Sequence, residues 1–195
     1  MRKTILTIVI LGLLWAGLLA WPLFDLFRLA HAIENRDIAT VTRHVDFVRV
    51  RNSLTQQIVD AYAKRTGARV NARAQGIAFS IADPLVTKIV SPEALAELLR
   101  AGWPVTIVPE PPRDTAGISV AALGTVLDIF SHSEYGIGRF EITVPVRIPV
   151  ERAFGLEMRL TQWTWRLSSV RLPEQVSAIL ADEIAKSTRT VPPAQ

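Results

Sequence analysis

The longest apolar stretch of the chain lies at its N-terminus. The twenty-one residues from Thr4 to Phe24 carry no formal charge, and Arg2 and Lys3 precede them. At roughly 1.5 Å of rise per residue, a helix of this length crosses a hydrocarbon core of about 30 Å. The pattern therefore predicts a transmembrane anchor over residues 1–25, followed by an exported domain over residues 26–187.

A cleaved secretory signal is the alternative interpretation of this segment. Ala30-His31-Ala32 has the small-x-small form of a cleavage site, but Asp25 and Arg28 separate it from the apolar run. The run is also longer than the apolar core of a usual signal peptide, so we favour a retained anchor. The positive-inside rule keeps Arg2 and Lys3 in the cytoplasm. The predicted location is an inner membrane, crossed once, with the domain outside the cytoplasm, which is the periplasm if the cell is a Gram-negative bacterium.

Apolar positions recur at the helical period of 3.6 residues through a helical half, residues 26–102. Asp37 is the predicted N-cap of a short helix from Ile38 to His44. Asp46 is the predicted cap of a longer helix that ends near Thr66. The pattern then indicates a polar connection at 67–76, a weakly patterned helix at 77–90, a helix from Ser91 to Gly102 and a proline-rich loop at 103–117.

The period changes from 3.6 to 2 in a sheet half, residues 118–173. The alternation predicts an antiparallel meander with one apolar face, and a bulge near Ser168-Ser169 that turns Trp165, Leu167, Val170 and Leu172 all inward. An amphipathic helix at 174–187 and a tail at 188–195 follow. The predicted strands are Val126 to Phe130, Arg139 to Val144, Phe154 to Leu160 and Trp163 to Leu172.

Composition and charge narrow the classes of partner. The chain has 195 residues, no cysteine and a net charge of +4, of which Arg2 and Lys3 supply two. The remaining +2 is too small to indicate binding of nucleic acid. Basic residues concentrate between Arg43 and Arg73. We interpret them as a solvated face, and contact with anionic lipid headgroups is the alternative.

The polar pair Asp46 and Arg51 is the main candidate for chemistry. Arg51 falls on the apolar face of its helix, so we expect it to be buried and paired with Asp37, Asp46 or a distant Glu. A structural ion pair is the favoured interpretation, and a charged floor for an anionic ligand is the alternative. Trp165 is expected in the core rather than in a recognition surface.

The sequence predicts no catalytic residue, no cofactor site and no metal site. The three histidines lack the paired spacing of metal ligands. His132 and Glu134 form an H-x-E sequence, which we interpret as part of a solvated turn between strands. Trp163 is assigned to the sheet, where packing is expected.

Several short motifs together resemble a known family. They are the N-terminal anchor, Asp37, Val45-Asp46-Phe47 with Val50-Arg51-x-Ser53-Leu54, the Ser91-Pro92-Glu93 helix and Trp165-x-Leu167 before Leu172-Pro173. This arrangement resembles the bacterial family called domain of unknown function twenty-nine thirty-nine, and the resemblance implies no activity. The order of helices and sheet is also similar to the cystatin-like and nuclear-transport-factor-like roll, which concerns the fold alone.

The predicted fold class is thus α+β, with a transmembrane helix and helices packed on an antiparallel sheet. The predicted function is a membrane-anchored envelope protein that acts as a binding or interaction module, with an envelope protein or anionic lipid headgroups as partners. The alternative is a small hydrolase-like enzyme, or a binder of a lipid or small ligand, that uses the neighbourhood of Asp46, His44 and Arg51.

Overall fold

The computed structural model describes residues 2–66, 83–84, 86–105, 107 and 116–190. It confirms an α+β fold with an N-terminal apolar helix and an antiparallel sheet. The helices are α1 Arg2–Glu34, α2 Ile38–His44, α3 Phe47–Thr66, α4 Pro92–Ala101, α5 Val126–Ser131 and α6 Glu174–Thr190. The strands are β1 Ser133–Gly136, β2 Arg139–Val144, β3 Phe154–Thr161 and β4 Thr164–Arg171.

Local capping sets several helix boundaries, as predicted. The Thr40 N–H donates to Asp37 Oδ1 at 3.1 Å at the start of α2. Ser91 caps α4 through the Ala94 N–H, with Pro92 in the first turn. Gly102 ends α4 at a φ of 91°, a left-handed conformation that glycine adopts without a steric penalty.

The sheet is the predicted meander, with strand order β1-β2-β3-β4 and every neighbouring pair antiparallel. The predicted bulge is confirmed, because Met158 pairs with Leu167 while Glu157 pairs with Ser169, which leaves Ser168 as the extra residue on β4. The bulge shifts the alternation of side chains by one residue, so that apolar residues on both sides of it point to the same face. Trp165, Leu167 and Val170 of β4, and Leu172 just after it, are consequently all buried.

Helix α3 covers the β4 edge of the sheet. The Asp46 N–H donates to the Leu167 carbonyl at 2.8 Å just before the helix begins. The side-chain amide of Gln57 makes two hydrogen bonds with the backbone at this edge. Its Nε2 donates to the Val170 carbonyl at 2.7 Å, and its Oε1 accepts from the Leu172 N–H at 3.1 Å. The Leu167 and Val170 carbonyls and the Leu172 N–H are thus satisfied within the fold, and α3 covers this edge of the sheet.

Two predictions about the sheet half are wrong. Residues Val126–Ser131 form a helix rather than a strand, because Thr125 and Asp128 make a capping box in which each side chain accepts from the other's backbone N–H. Residues Ser133–Gly136 form β1 rather than a turn, so Glu134 lies in a strand and His132 immediately precedes it. The tight turn comes later, at Ile137-Gly138.

Some predictions concern residues outside the described ranges. The polar connection at 67–76 lies wholly outside them. Of the predicted helix at 77–90, residues 83–84 and 86–89 are described and helical. Much of the proline-rich loop lies outside at 106 and 108–115. The end of the tail, 191–195, also lies outside, and α6 continues to Thr190.

Candidate functional site: the junction of the apolar helix and the domain

Helix α1 changes character along its length. From residue 3 to 14 and from 17 to 18 its described side chains are exposed, and they are almost all apolar. Beyond Trp21 the apolar side chains that face the domain are buried in the single core that includes the sheet. These are Leu23, Leu26, Leu29, Ala30, Ala32 and Ile33. One continuous helix thus has two parts: an exposed apolar part before Trp21, which we call the apolar rod, and a C-terminal part that packs in the core of the domain.

Helix α1 contacts α2, α4 and β4. Its apolar stripe Leu26, Leu29 and Ile33 has the i, i+3, i+7 spacing of one helix face. Fully burying a leucine or isoleucine stabilises a fold by about 1.5–3 kcal/mol. The C-terminal part of α1 is therefore a major contributor to the stability of the domain.

Asp25 lies inside this packed junction. It is 6% exposed, and its Oδ2 accepts from the Trp165 N–H at 3.0 Å. His44 is equally buried, with Nε2 at 3.9 Å from Asp25 Oδ1 and Nδ1 at 2.9 Å from the Thr40 carbonyl. Because a carbonyl oxygen only accepts, the Nδ1 proton of His44 is fixed by Thr40. The result is a polar link that joins α1, α2 and the start of β4.

Two tryptophans meet where α1 leaves the domain. The rings of Trp21 and Trp163 stack with centroids 6.1 Å apart and an interplanar angle of 15°. Trp163 lies in the β3–β4 turn with a φ of 64°, not in the strand as predicted, and its side chain is 78% exposed. The expectation that Trp163 packs in the sheet is therefore wrong, whereas Trp165 is in the core as expected.

The structure gives Asp37 and Asp46 local contacts at helix N-termini. Hydrogen bonds from Thr40 lower the pKa of the Asp37 carboxyl. Asp46 Oδ1 accepts from the Arg49 N–H at 3.1 Å, and its Oδ2 lies 3.3 Å from Arg49 Nε. These contacts suit the capping of α2 and α3.

Arg51 is placed differently from the expectation. Its partner is Asp83, with Nε to Oδ1 at 2.9 Å and Nη2 to Oδ2 in a second hydrogen bond, rather than Asp37, Asp46 or a Glu. The side chains of Arg51 and Asp83 are 40% and 50% exposed, so the expected burial is wrong. The pair is a bidentate contact at the surface, formed across a sequence separation that no local pattern reveals.

The exposure of this pair changes the expected effect of mutation. We expect Arg51→Ala to lower the free energy of unfolding by no more than about 1 kcal/mol, because solvent screens an exposed ion pair. Arg49→Ala, which removes the similarly exposed contact with Asp46, is the matched control and should have a comparable effect. Urea denaturation of both variants measures this. A loss several times larger for Arg51→Ala would show that its guanidinium is buried in solution.

The residues of the hydrolase hypothesis do not converge. His44 is buried against Asp25, Asp46 contacts Arg49, and Arg51 contacts Asp83. Among the described residues, no carboxylate and no histidine lines a cleft of about 310 Å³ beside Arg51. Within the described residues, no three His, Asp or Glu side chains cluster closely enough to hold a metal ion. The lining of that cleft is Phe47, Val48, Arg51, Thr87, Val90 and Ser91.

A larger open cleft, of about 570 Å³, lies between α3 and α6. Its charged lining residues are Asp60, Lys64, Arg171 and Glu174, so neither sign of charge predominates. Gln57 also lines it, but its amide is engaged by the β4 backbone. This cleft lacks the convergent polar groups that would define a ligand.

Sequence reasoning missed Asp25 and Trp163. The sequence does indicate that Asp25 is buried, because it lies four residues before Leu29 on the apolar stripe of α1. A buried carboxylate needs a hydrogen-bond or ionic partner. Trp163 had none, because Gln162-Trp163 lacks the glycine or asparagine that favours positive φ values in two-residue turns.

Taken together, these features define an α+β domain built directly onto an apolar helix. Residues 11–98 match the family described as Protein of unknown function (DUF2939), which confirms the resemblance based on the sequence motifs. The match begins at residue 11 within α1, ends at residue 98 within α4, and does not include the sheet. A search of curated proteins found no match, and neither did a search of solved structures.

Proposed function

We propose that the protein is a single-pass membrane protein whose N-terminal helix is retained. The observation that carries this proposal is the burial of the second part of α1 in the core of the domain. The exposed part, from about residue 4 to Trp21, is long enough to span most of a hydrocarbon core of about 30 Å. An apolar rod of this length is unfavourable in water, because it exposes many aliphatic side chains.

The alternative of a cleaved signal conflicts with the packing. Cleavage after Ala32, within the Ala30-His31-Ala32 motif, would remove Leu23, Leu26 and Leu29 from the core and Asp25 from Trp165. Ala30 and Ala32 are themselves buried in a continuous helix. A cleaved product would therefore lack part of the core of the domain.

The orientation follows from charge. Arg2 and Lys3 are the residues that flank the N-terminal end of the apolar run, and the positive-inside rule places them in the cytoplasm. The domain then lies on the opposite side of the membrane. In a Gram-negative bacterium this arrangement corresponds to an inner-membrane protein with a periplasmic domain.

Within the envelope, we infer that the domain acts as a binding or interaction module. The scattered positions of His44, Asp46 and Arg51 favour this class over a hydrolase, because acid–base catalysis needs such groups around one accessible cleft.

Membrane fractionation tests the anchor and its orientation. We expect the full chain to stay in the pellet after carbonate extraction, because the span is integral. A reporter enzyme that is active only outside the cytoplasm, fused after Gln195, should be active. Release of the domain by carbonate, together with loss of the first thirty or so residues by mass spectrometry, would instead support a cleaved signal.

A further inference from the structure

The two hairpin turns of the sheet lie at the same end. Because neighbouring strands are antiparallel, the β1–β2 turn at Ile137-Gly138 and the β3–β4 turn at Gln162-Trp163 leave the sheet on one side. The Leu160 N–H donates to the Gly138 carbonyl at 3.0 Å and joins the two turns. We call Ile137, Leu160 and Trp163 the apolar tip.

Helix α1 fixes the direction in which the apolar tip points. Trp21 stacks on Trp163, and Asp25, one turn further along the helix, accepts from the Trp165 N–H. Helix α1 and strand β4 therefore run in the same direction at their contact, away from the exposed N-terminal rod. The turns consequently point back along α1, toward the membrane that the rod would occupy.

The apolar tip is unusually exposed for its composition. Ile137 is fully exposed, Trp163 is largely exposed, and Leu160 is also accessible. Phe24 on α1, three residues after Trp21, is exposed as well. Tryptophan is favoured at membrane–water interfaces, where its ring meets the apolar boundary and its N–H remains hydrated. Exposed apolar side chains grouped beside a membrane span indicate a lipid contact.

A row of arginines crosses the sheet directly behind the tip. Arg139 pairs in register with Arg159, and Arg159 pairs with Arg166, so the three side chains share one face of β2, β3 and β4. Like charges directly opposite each other destabilise a sheet. Arg139 contacts Glu141 at 2.8 Å and Glu157 at 3.3 Å, and Arg159 contacts Glu157 at 2.7 Å. The Nε–H of Arg166 is buried and has no hydrogen-bond partner among the described residues.

The height of this row suits the headgroups of a bilayer. Arg139 follows Ile137 by two residues and Arg166 follows Trp163 by three. At roughly 3.3 Å of rise per strand residue, the row stands about 7–10 Å above the tip. The headgroup layer on each side of a bilayer is about 5–8 Å thick. A tip at the hydrocarbon boundary would therefore place the guanidinium groups at the level of the lipid phosphates.

We propose that the turn end of the sheet is a second membrane contact. The apolar tip enters the interface beside α1, and the row of Arg139, Arg159 and Arg166 contacts the phosphates of anionic lipids. This inference rests on the proposed membrane anchor, because the span sets the position of the tip. It assigns the lipid contact to the sheet instead of to the basic stretch between Arg43 and Arg73, because the row stands directly beside the apolar tip. Carboxylate partners do not separate the two sets, since Arg139, Arg159, Arg49 and Arg51 all have them.

The absence of cysteine from the chain allows a direct test with single labelling sites. The full chain would carry Ile137→Cys or Trp163→Cys, each labelled with the environment-sensitive dye NBD, in nanodiscs that contain phosphatidylglycerol and a nitroxide near the top of the lipid acyl chain. Leu127→Cys is the matched control, because Leu127 is 78% exposed like Trp163. Leu127 is next to Asp128, and Asp128 contacts Arg147. Arg147 follows the end of β2 that is opposite to the apolar tip, so the control position is remote from the tip.

Leu13→Cys, in the exposed part of α1, tests the anchor separately. We expect the nitroxide to lower NBD fluorescence by at least about twofold at positions 13, 137 and 163 and by less than about a tenth at 127, since interfacial groups lie about 5–10 Å into the boundary. Quenching at 163 should be weaker in nanodiscs of phosphatidylcholine alone.

Three outcomes would overturn the inference in different ways. Quenching at position 13 without quenching at 137 and 163 would leave the anchor intact and remove the second contact. A blue-shifted NBD emission at 137 and 163 without nitroxide quenching would mean that protein covers the tip. Equal quenching in anionic and neutral nanodiscs would remove the role of the arginine row. A label at position 13 that is not quenched would instead contradict the proposed anchor.

Discussion

Removal of residues 1–32 is expected to abolish cooperative folding of the domain. This truncation imitates cleavage after Ala32 and deletes Leu23, Leu26 and Leu29 from the core. Three such side chains stabilise the fold by about 5–9 kcal/mol in total, which is comparable to the whole stability of a typical domain, about 5–15 kcal/mol. Thermal unfolding followed by circular dichroism should therefore show no transition.

Removal of residues 1–20 is the matched control for this truncation. It deletes the exposed rod and keeps Trp21, Asp25 and the buried stripe of α1. We expect this shorter deletion to unfold in a single cooperative transition. If the 1–32 truncation also unfolds cooperatively and at a similar temperature, α1 is dispensable for the core and the argument against cleavage loses its basis.

Trp165→Ala is expected to lower the free energy of unfolding by about 3–5 kcal/mol, the usual cost of deleting a buried aromatic side chain. Trp165 packs in the core at the base of β4, and its backbone N–H is held by Asp25. Urea denaturation of the protein without residues 1–20 would measure the change.

Trp163→Ala provides the comparison two residues away. Its side chain is exposed in the turn and stacks only on Trp21 within the described residues, so we expect a loss of about 1 kcal/mol or less. Similar losses for both tryptophans would contradict the assignment of Trp165 to the core and Trp163 to the surface.

Local chemistry explains which parts of this fold could be predicted from sequence. Asp37, Ser91 and Gly102 act through backbone groups within a few residues, so the boundaries of α2 and α4 followed directly. The parity of Trp165 and Val170 likewise required a bulge, because strand side chains alternate with a period of two. Such signals do not depend on distant parts of the chain.

At residues 125–131 the apolar pattern predicts a strand, whereas the capping residues predict a helix, and the structure has the helix. Residues 126–130 read as a strand, but Thr125 and Asp128 form a capping box that commits the backbone to a helix. The spacing of those two residues was visible in the sequence. Hydrogen-bonding side chains at a helix start deserve more weight there than a short apolar run, which strands and helices share.

The polar groups of the junction depend on contacts that no sequence window contains. Arg51 meets Asp83 thirty-two positions later, and Asp25 meets the Trp165 N–H one hundred and forty positions later. Periodicity indicated only that a charge on an apolar stripe needs a partner. Which partner, and whether the pair is buried, is set by tertiary packing.

The continuity of α1 also limits how far the domain can act. The helix runs from Arg2 to Glu34 without a break, so no flexible linker separates the apolar rod from the core. A tethered domain usually gains reach from its linker, whose span grows with the square root of its length. Here that reach is absent. Once the apolar part of α1 is in a bilayer, the described surfaces of the domain stay within about 40 Å of the lipid, the approximate diameter of a domain of this length. A partner fixed further from the membrane must extend toward the domain.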